Sequence, residues 1–153
     1  MARVIGVISD THGVLRPEAA RALAGVESII HAGDAGTPEV LQELSRIAPV
    51  HAVRGNVDRG EWARALPVSE VVDVAGALIY VLHNLAELDL DPAAAGFAAV
   101  VSGHSHQPRN EVRNGVLYLN PGSAGPRRFR LPVTLARMTV EGSAVCAELV
   151  ALL

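Results

Sequence analysis

Between Val4 and Arg54 three short apolar runs alternate with two helical patterns, and this order restricts the fold more than any other feature. Val4 to Ile8 is rich in β-branched residues and stops at Ser9-Asp10. Glu27 to His31 is closed by Ala32-Gly33-Asp34, and Pro49 to Arg54 by Gly55-Asn56. Such runs read as buried strands. Pro17 to Ala24 reads as a helix with Pro near its first turn. Thr37-Pro38-Glu39 reads as an N-cap with Pro at the first helical position, opening a helix to about Ile47. A β-α-β-α-β order calls for parallel strands with helices packed on the sheet.

The second half changes character. Ser69 to Val74 and Ala77 to Leu82 are joined tightly at Ala75-Gly76, and Ala98 to Val101 is a further apolar run. Asn114-Gly115 between Glu111–Arg113 and Val116–Leu119 is a strong hairpin signal. Pro132 to Val140 and Ser143 to Val150 flank a second one at Glu141-Gly142. Two mixed sheets packed face to face with helices outside accommodate both halves. At 153 residues the chain has the length of one domain, expected to span 1–153. Half the residues are hydrophobic but only 3% aromatic, so Val, Leu, Ile and Ala must build the core.

The polar residues that end these strands carry the chemistry. Asp10 and His12 follow the first strand, Asp34 the second, and Asn56 and Asp58 the third. His83 ends the Tyr80-Val81-Leu82 run, and His104 and His106 follow Val100-Val101. In open α/β sheets ligands bind at this end of the strands. Residues two apart in extended chain face the same side, so each Asp-x-His or His-x-His pair can reach one cavity. Neighbouring glycines at 13, 33, 55 and 103 permit tight turns. Carboxylates, an amide and imidazoles suit Zn²⁺, Mn²⁺, Fe²⁺ or Ni²⁺, and no thiol takes part. Any one of these pieces alone is an ordinary turn. Five strand ends that each offer a metal-capable group are better explained by a metal site.

Taken together, Asp10-Thr11-His12, Gly33-Asp34, Gly55-Asn56-Val57-Asp58, His83 and Gly103-His104-Ser105-His106 resemble the calcineurin-like metallophosphoesterase superfamily. Asn120-Pro121-Gly122-Ser123 resembles its small bacterial and archaeal phosphodiesterase branch. The resemblance implies a four-layer α/β/β/α sandwich, two divalent ions and hydrolysis of a small phosphoester, most simply a diester. It places Asp10, His12, Asp34 and His106 on one ion. Asp34, Asn56, His83 and His104 fall on the other, with Asp34 bridging. Asp34, Asn56 and His83 are the residues it makes catalytic. Two cations about 3.5–4 Å apart can share a hydroxide that attacks phosphorus in line. The chain departs from the pattern at Asn84, where Gly often stands. At Val57 larger members carry a histidine as general acid.

Other residues have plainer readings. His31 fits either a residue orienting a ligand or a buried strand end, and His51 reads as structural. Arg127, Arg128 and Arg130 fit either a phosphate clamp or a solvated loop. Trp62 fits a cleft wall or a loop staple, and Asp58 fits a cap for the turn after Asn56. The net charge of −3 argues against a nucleic-acid-binding surface. The single cysteine, Cys146, forbids an intrachain disulfide. No apolar run reaches membrane-spanning length, and a cytoplasmic location is the default. A homodimer is a symmetry expectation only. The competing class is a catalytically weak interaction scaffold of the same fold, resembling the small metallophosphoesterase-like subunit of retromer. It is expected to show substituted ligand positions, whereas here all are filled by competent residues.

Overall fold

A computed structural model describes residues 2–153. Strands β1 (Arg3–Ile8), β2 (Ser28–His31) and β3 (Val50–Ala52) pair in parallel, as the alternation requires. The intervening helices are α1 (Pro17–Ala22) and α2 (Pro38–Ser45). Pro17 and Pro38 open them, where a missing N–H costs nothing. Thr37 is the α2 N-cap, but its side chain makes no capping bond. The terminal hairpin, β9 (Thr134–Glu141) and β10 (Ala144–Ala151), joins β1 in antiparallel fashion and completes a five-stranded sheet, β10-β9-β1-β2-β3.

The second sheet also has five strands, in the order β4-β5-β6-β8-β7. They are β4 (Ser69–Val74), β5 (Ala77–Leu82), β6 (Ala99–Val101), β7 (Arg109–Arg113) and β8 (Val116–Asn120). Here β5, β6 and β8 run parallel, with hairpin partners at the two edges. The four-residue helix α3 (Glu61–Arg64), which carries Trp62, links the sheets and has no counterpart in the sequence reading.

Burial follows the sandwich. Ile5, Val7, Ile30, Ile79, Val101 and Met138 sit between the sheets. On the outer face of the first sheet, Leu23 and Leu44 of the α1 and α2 region pack against Ile8, Ile29 and Leu135. The fourth layer is thin. Over the second sheet a one-turn 3-10 helix, Leu85–Glu87, and its flanking loop place Leu85 and Leu88 against Leu82, Val100 and Val116. Asn84 accounts for that turn, because its side chain caps the 3-10 helix by accepting from the Ala86 amide (3.1 Å). Among the described residues no helix is long and apolar enough to cross a membrane.

Candidate metal centre

The parallel strands of both sheets end on one side, and the loops that follow them meet there. Asp10 and His12 follow β1, Asp34 follows β2, and Asn56 follows β3. His83 follows β5, and His104 and His106 follow β6. The pairs do not converge through extended backbone, as the two-residue spacing suggests. Asp10, His12, Asp34, His104 and His106 all have φ between 48° and 70°. This left-handed conformation is costly for residues with a Cβ and persists where the surroundings impose it. Each ligand loop is therefore a tight turn.

Asp10 is fully buried and held from one side. Its Oδ2 accepts from Ser9 Oγ (2.7 Å) and the His104 amide (3.1 Å). Its Oδ1 has no hydrogen-bond partner. Around that oxygen stand the Nε2 atoms of His106 (3.4 Å), His12 (3.7 Å) and His83 (4.0 Å). Asp34 repeats the arrangement. Its Oδ1 accepts from the Val57 amide (3.0 Å), and its Oδ2 faces His83 Nε2 (3.1 Å) and His12 Nε2 (3.8 Å). Two groups of donors result, Asp10–His12–His106 and Asp10–Asp34–His83, each spanning less than 4.8 Å. Asp10 belongs to both, and Asp34 reaches a histidine of each.

The tautomer of His83 says what these atoms await. Its Nδ1 lies 2.8 Å from the Ala32 carbonyl, which can only accept, so Nδ1 carries the proton. In a neutral ring Nε2 is then a lone pair, yet it faces Asn56 Oδ1 (3.0 Å) and Asp34 Oδ2. Three acceptors directed at one point need a proton or a cation between them. Asn56 Oδ1 is also 3.1 Å from Nδ1 of the exposed His104, so Asn56 and His104 border the second group. With the unpartnered, buried Asp10 Oδ1 and His12 Nε2, this donor set fits divalent cations of the borderline class.

Electrostatics agree. Burial would raise the Asp10 and Asp34 carboxyls, but hydrogen bonds and the nearby imidazoles outweigh it and hold both below the usual range. Asp10 raises His12. Burial works against protonating His83, but Asp34 and the Ala32 carbonyl prevail and raise it. Burial lowers His106. Two anionic carboxylates stand in a cleft that only positive charge relaxes.

Two residues outside the ligand set lock the loops in register. Asp58 does not face the cleft. Its Oδ2 accepts from the amides of Gly55 (2.8 Å) and Asp34 (3.0 Å), and its Oδ1 from that of Gly36 (2.9 Å). It thus caps the Asn56 turn and ties it to the Asp34 loop. The approach is so close that a Cβ on Gly55 would run into Asp34. His31 is fully buried and does the same between the first two loops. Its Nδ1 accepts from the Gly33 amide (3.1 Å), so Nε2 carries the proton and donates to Thr11 Oγ1 (3.0 Å). His51 sits half-buried in β3 and is in neither donor group. Cys146 is exposed on the edge strand β10.

Burial pushes His31 down from 6.5 to about 4. Between these values the unfolded chain binds the proton that the folded chain refuses. His31 therefore makes stability fall with acid by about 1.4 kcal/mol per pH unit, beginning below the unfolded value. Denaturant titrations of metal-free protein at pH 7, 6 and 5 are expected to show a shallower decline for His31→Gln. Equal slopes for variant and parent would mean that His31 is protonated in the fold.

A groove of about 540 Å³ adjoins the centre on the His104 side and is lined by polar residues that include Asn84, Gln107 and Asn120. Residues 4–143 match the calcineurin-like phosphoesterase superfamily domain. A probable metallophosphoesterase of Methanothermobacter thermautotrophicus is 33% identical, over 96% of this chain and 91% of that protein. An archaeal phosphodiesterase structure superposes with a TM-score of 0.79 at 23% identity, covering 96% of this chain and 99% of the other. Vacuolar protein sorting 29 from Cryptosporidium parvum does so at 0.77 and 19% identity, covering 97% of each. At these identities the two structures establish the shared fold.

Proposed function

The chain belongs to the calcineurin-like phosphoesterase superfamily, and on that footing we propose that it is a two-metal phosphodiesterase. The observation that carries the reading is Asp10 Oδ1: buried, without a hydrogen-bond partner, and ringed by the Nε2 atoms of three histidines. Asp10, His12, Asp34 and His106 would hold one ion. Asp34, Asn56, His83 and His104 would hold the other, with Asp10 close to both. When bound, the ions would neutralise the phosphoryl oxygens and supply the attacking nucleophile. Mn²⁺, Zn²⁺, Fe²⁺ and Ni²⁺ all suit the donors.

The residues themselves do the positioning. Ser9 and the His104 amide fix the Asp10 carboxylate, and the Val57 amide fixes Asp34. Ala32 fixes the His83 tautomer. Val57 is exposed where larger relatives carry an acid, and an alkyl side chain donates no proton. Leaving groups that need little protonation are therefore favoured, since general acid catalysis supplies about 10²–10⁴-fold. Stripping the metal is expected to abolish hydrolysis of bis-(p-nitrophenyl) phosphate, and Mn²⁺ to restore it. With the same ion, kcat/KM should be higher for this aryl diester than for glycerol phosphate. Full activity after prolonged chelation would end the two-metal reading. A metal-replete chain that turns over no phosphoester would favour the scaffold alternative.

A further inference from the structure

The turn Asn120-Pro121-Gly122-Ser123 follows from the end of β8 and supplies no ligand to the centre. It lies where the two sheets meet. Asn120 closes β8 in the second sheet, and Thr134, which opens β9 in the first, donates from Oγ1 to the Pro121 carbonyl (2.6 Å). Gly122 has a φ of 79° and approaches Thr134 so closely that a Cβ would collide with its Oγ1. The turn is thus fixed to both sheets.

From that position it holds a ligand loop at each end. At one end the Ala124 amide donates to the Ser9 carbonyl (3.1 Å), and Ser123 Oγ donates to the Asp10 carbonyl (3.1 Å). At the other, the buried Asn120 donates from Nδ2 to the Gly103 carbonyl (3.0 Å) and to Ser105 Oγ (3.1 Å). Its Oδ1 accepts from the Gly122 amide (2.9 Å). A carbonyl only accepts and an amide N–H only donates, so these partners fix which atom of the Asn120 side chain is nitrogen. Both its N–H groups are engaged by the two residues that flank His104.

His104 needs such a hold. Among the histidines of the centre it is the exposed one, and its backbone is left-handed, with φ 70°. Its ring meets Asn56 Oδ1 (3.1 Å) and stands edge-on to His83, 5.2 Å between centroids. His106 is placed by burial, its ring 5.3 Å from that of His12. His104 takes its place from the backbone on either side.

We infer that Asn120 is a positioning residue, and that occupancy of the ion His104 would hold depends on it. The inference rests on the two-metal reading and adds the residue that governs its second ion. Without the Asn120 donors the Gly103 carbonyl is unpaired and the strained turn at His104 is free to relax. One ligand is then withdrawn from the second ion and none from the first.

The test is calorimetric titration of metal-free protein with Mn²⁺. The parent should take up two ions. A parent that binds fewer fails the two-metal reading, and the inference with it, before any variant is compared. Asn120→Asp keeps the shape and the acceptor for Gly122 but turns a carboxylate oxygen toward the Gly103 carbonyl. Its added negative charge can only favour a cation, so weaker binding reports lost positioning. The second ion is expected to bind at least about tenfold more weakly, with the first not weakened. His104→Ala should weaken the same ion, and in that background Asn120→Asp should add nothing, because Asn120 acts through His104. Additive losses, or equal weakening of both ions, overturn the inference, since a merely structural Asn120 would act on both through the fold. If Asn120→Asp does not fold, Ser105→Ala decides. It changes an exposed position and removes one of the two Asn120 bonds to the loop. It is expected to weaken the second ion about fivefold, the worth of one hydrogen bond. Unchanged affinity in that variant overturns the inference.

Discussion

Asp10→Asn and Asp34→Asn are each expected to lower turnover of bis-(p-nitrophenyl) phosphate by at least about a hundredfold, the scale of losing a metal-held charge stabiliser. In each carboxylate one oxygen is already committed, Asp10 Oδ2 to two donors and Asp34 Oδ1 to the Val57 amide. An amide must keep its oxygen on those donors, which turns its NH₂ toward the histidines. The change therefore removes a negative charge and inserts a donor where a cation belongs. Because Asp10 Oδ1 belongs to both donor groups, metal analysis should find Asp10→Asn depleted of both ions. His104→Ala should also lose at least about a hundredfold, again by loss of a metal-held group. His51→Ala, outside both groups, should stay within a few-fold of the parent. A folded His51→Ala protein as damaged as Asp34→Asn would refute the ligand assignment.

Asp58→Ala is the change expected to cost the most stability without touching the cleft. It orphans three backbone donors at once, those of Asp34, Gly36 and Gly55. Each buried N–H left without a partner costs about 1–3 kcal/mol, so the total is about 3 kcal/mol or more. For a chain of this size that is a Tm decrease of about 10 °C. Asp58→Asn retains one acceptor oxygen and should fall between the two. Metal affinity should fall with stability in Asp58→Ala, since the Asp34 and Asn56 loops lose their common tie. Thermal melts of metal-free protein separate the two effects, and an unchanged Tm there would show that water replaces the carboxylate.

The strands were legible because their endings are abrupt. Ser69–Val74 and Ala77–Leu82 are found with the expected bounds, and the two Asn-Gly and Glu-Gly hairpins stand where their turns imply. The third strand is shorter than its apolar run, Val50–Ala52 rather than Pro49–Arg54: the Val53 amide still bonds the His31 carbonyl (3.1 Å), but the Arg54 amide leaves that ladder for the Pro67 carbonyl (2.8 Å). The meeting of Asp10, His12, Asp34, His83 and His106 was also legible, since each follows a strand. Their backbone geometry was not. Spacing suggested extended pairs, whereas left-handed turns bring them together. Nor does local pattern reveal that Asp58 reaches back 24 residues to the Asp34 amide, or that His31 bonds Thr11. Such bonds depend on which loops the folded sheets bring side by side.

The position of the centre between two sheets has a polymer consequence. Asp10 and His104 are 94 residues apart in the chain and belong to loops of different sheets. Ions held jointly by those loops would close a large ring in a protein whose lone cysteine can close none. A covalent bridge over a ring of that length is worth about 4–5 kcal/mol in the chain-entropy picture. A coordination bridge acts in the same sense, but its strength varies with free metal concentration, because only the folded chain presents the full donor set. The centre then serves as a reversible staple, and the resistance of the folded chain to proteolysis should follow the metal supply around it.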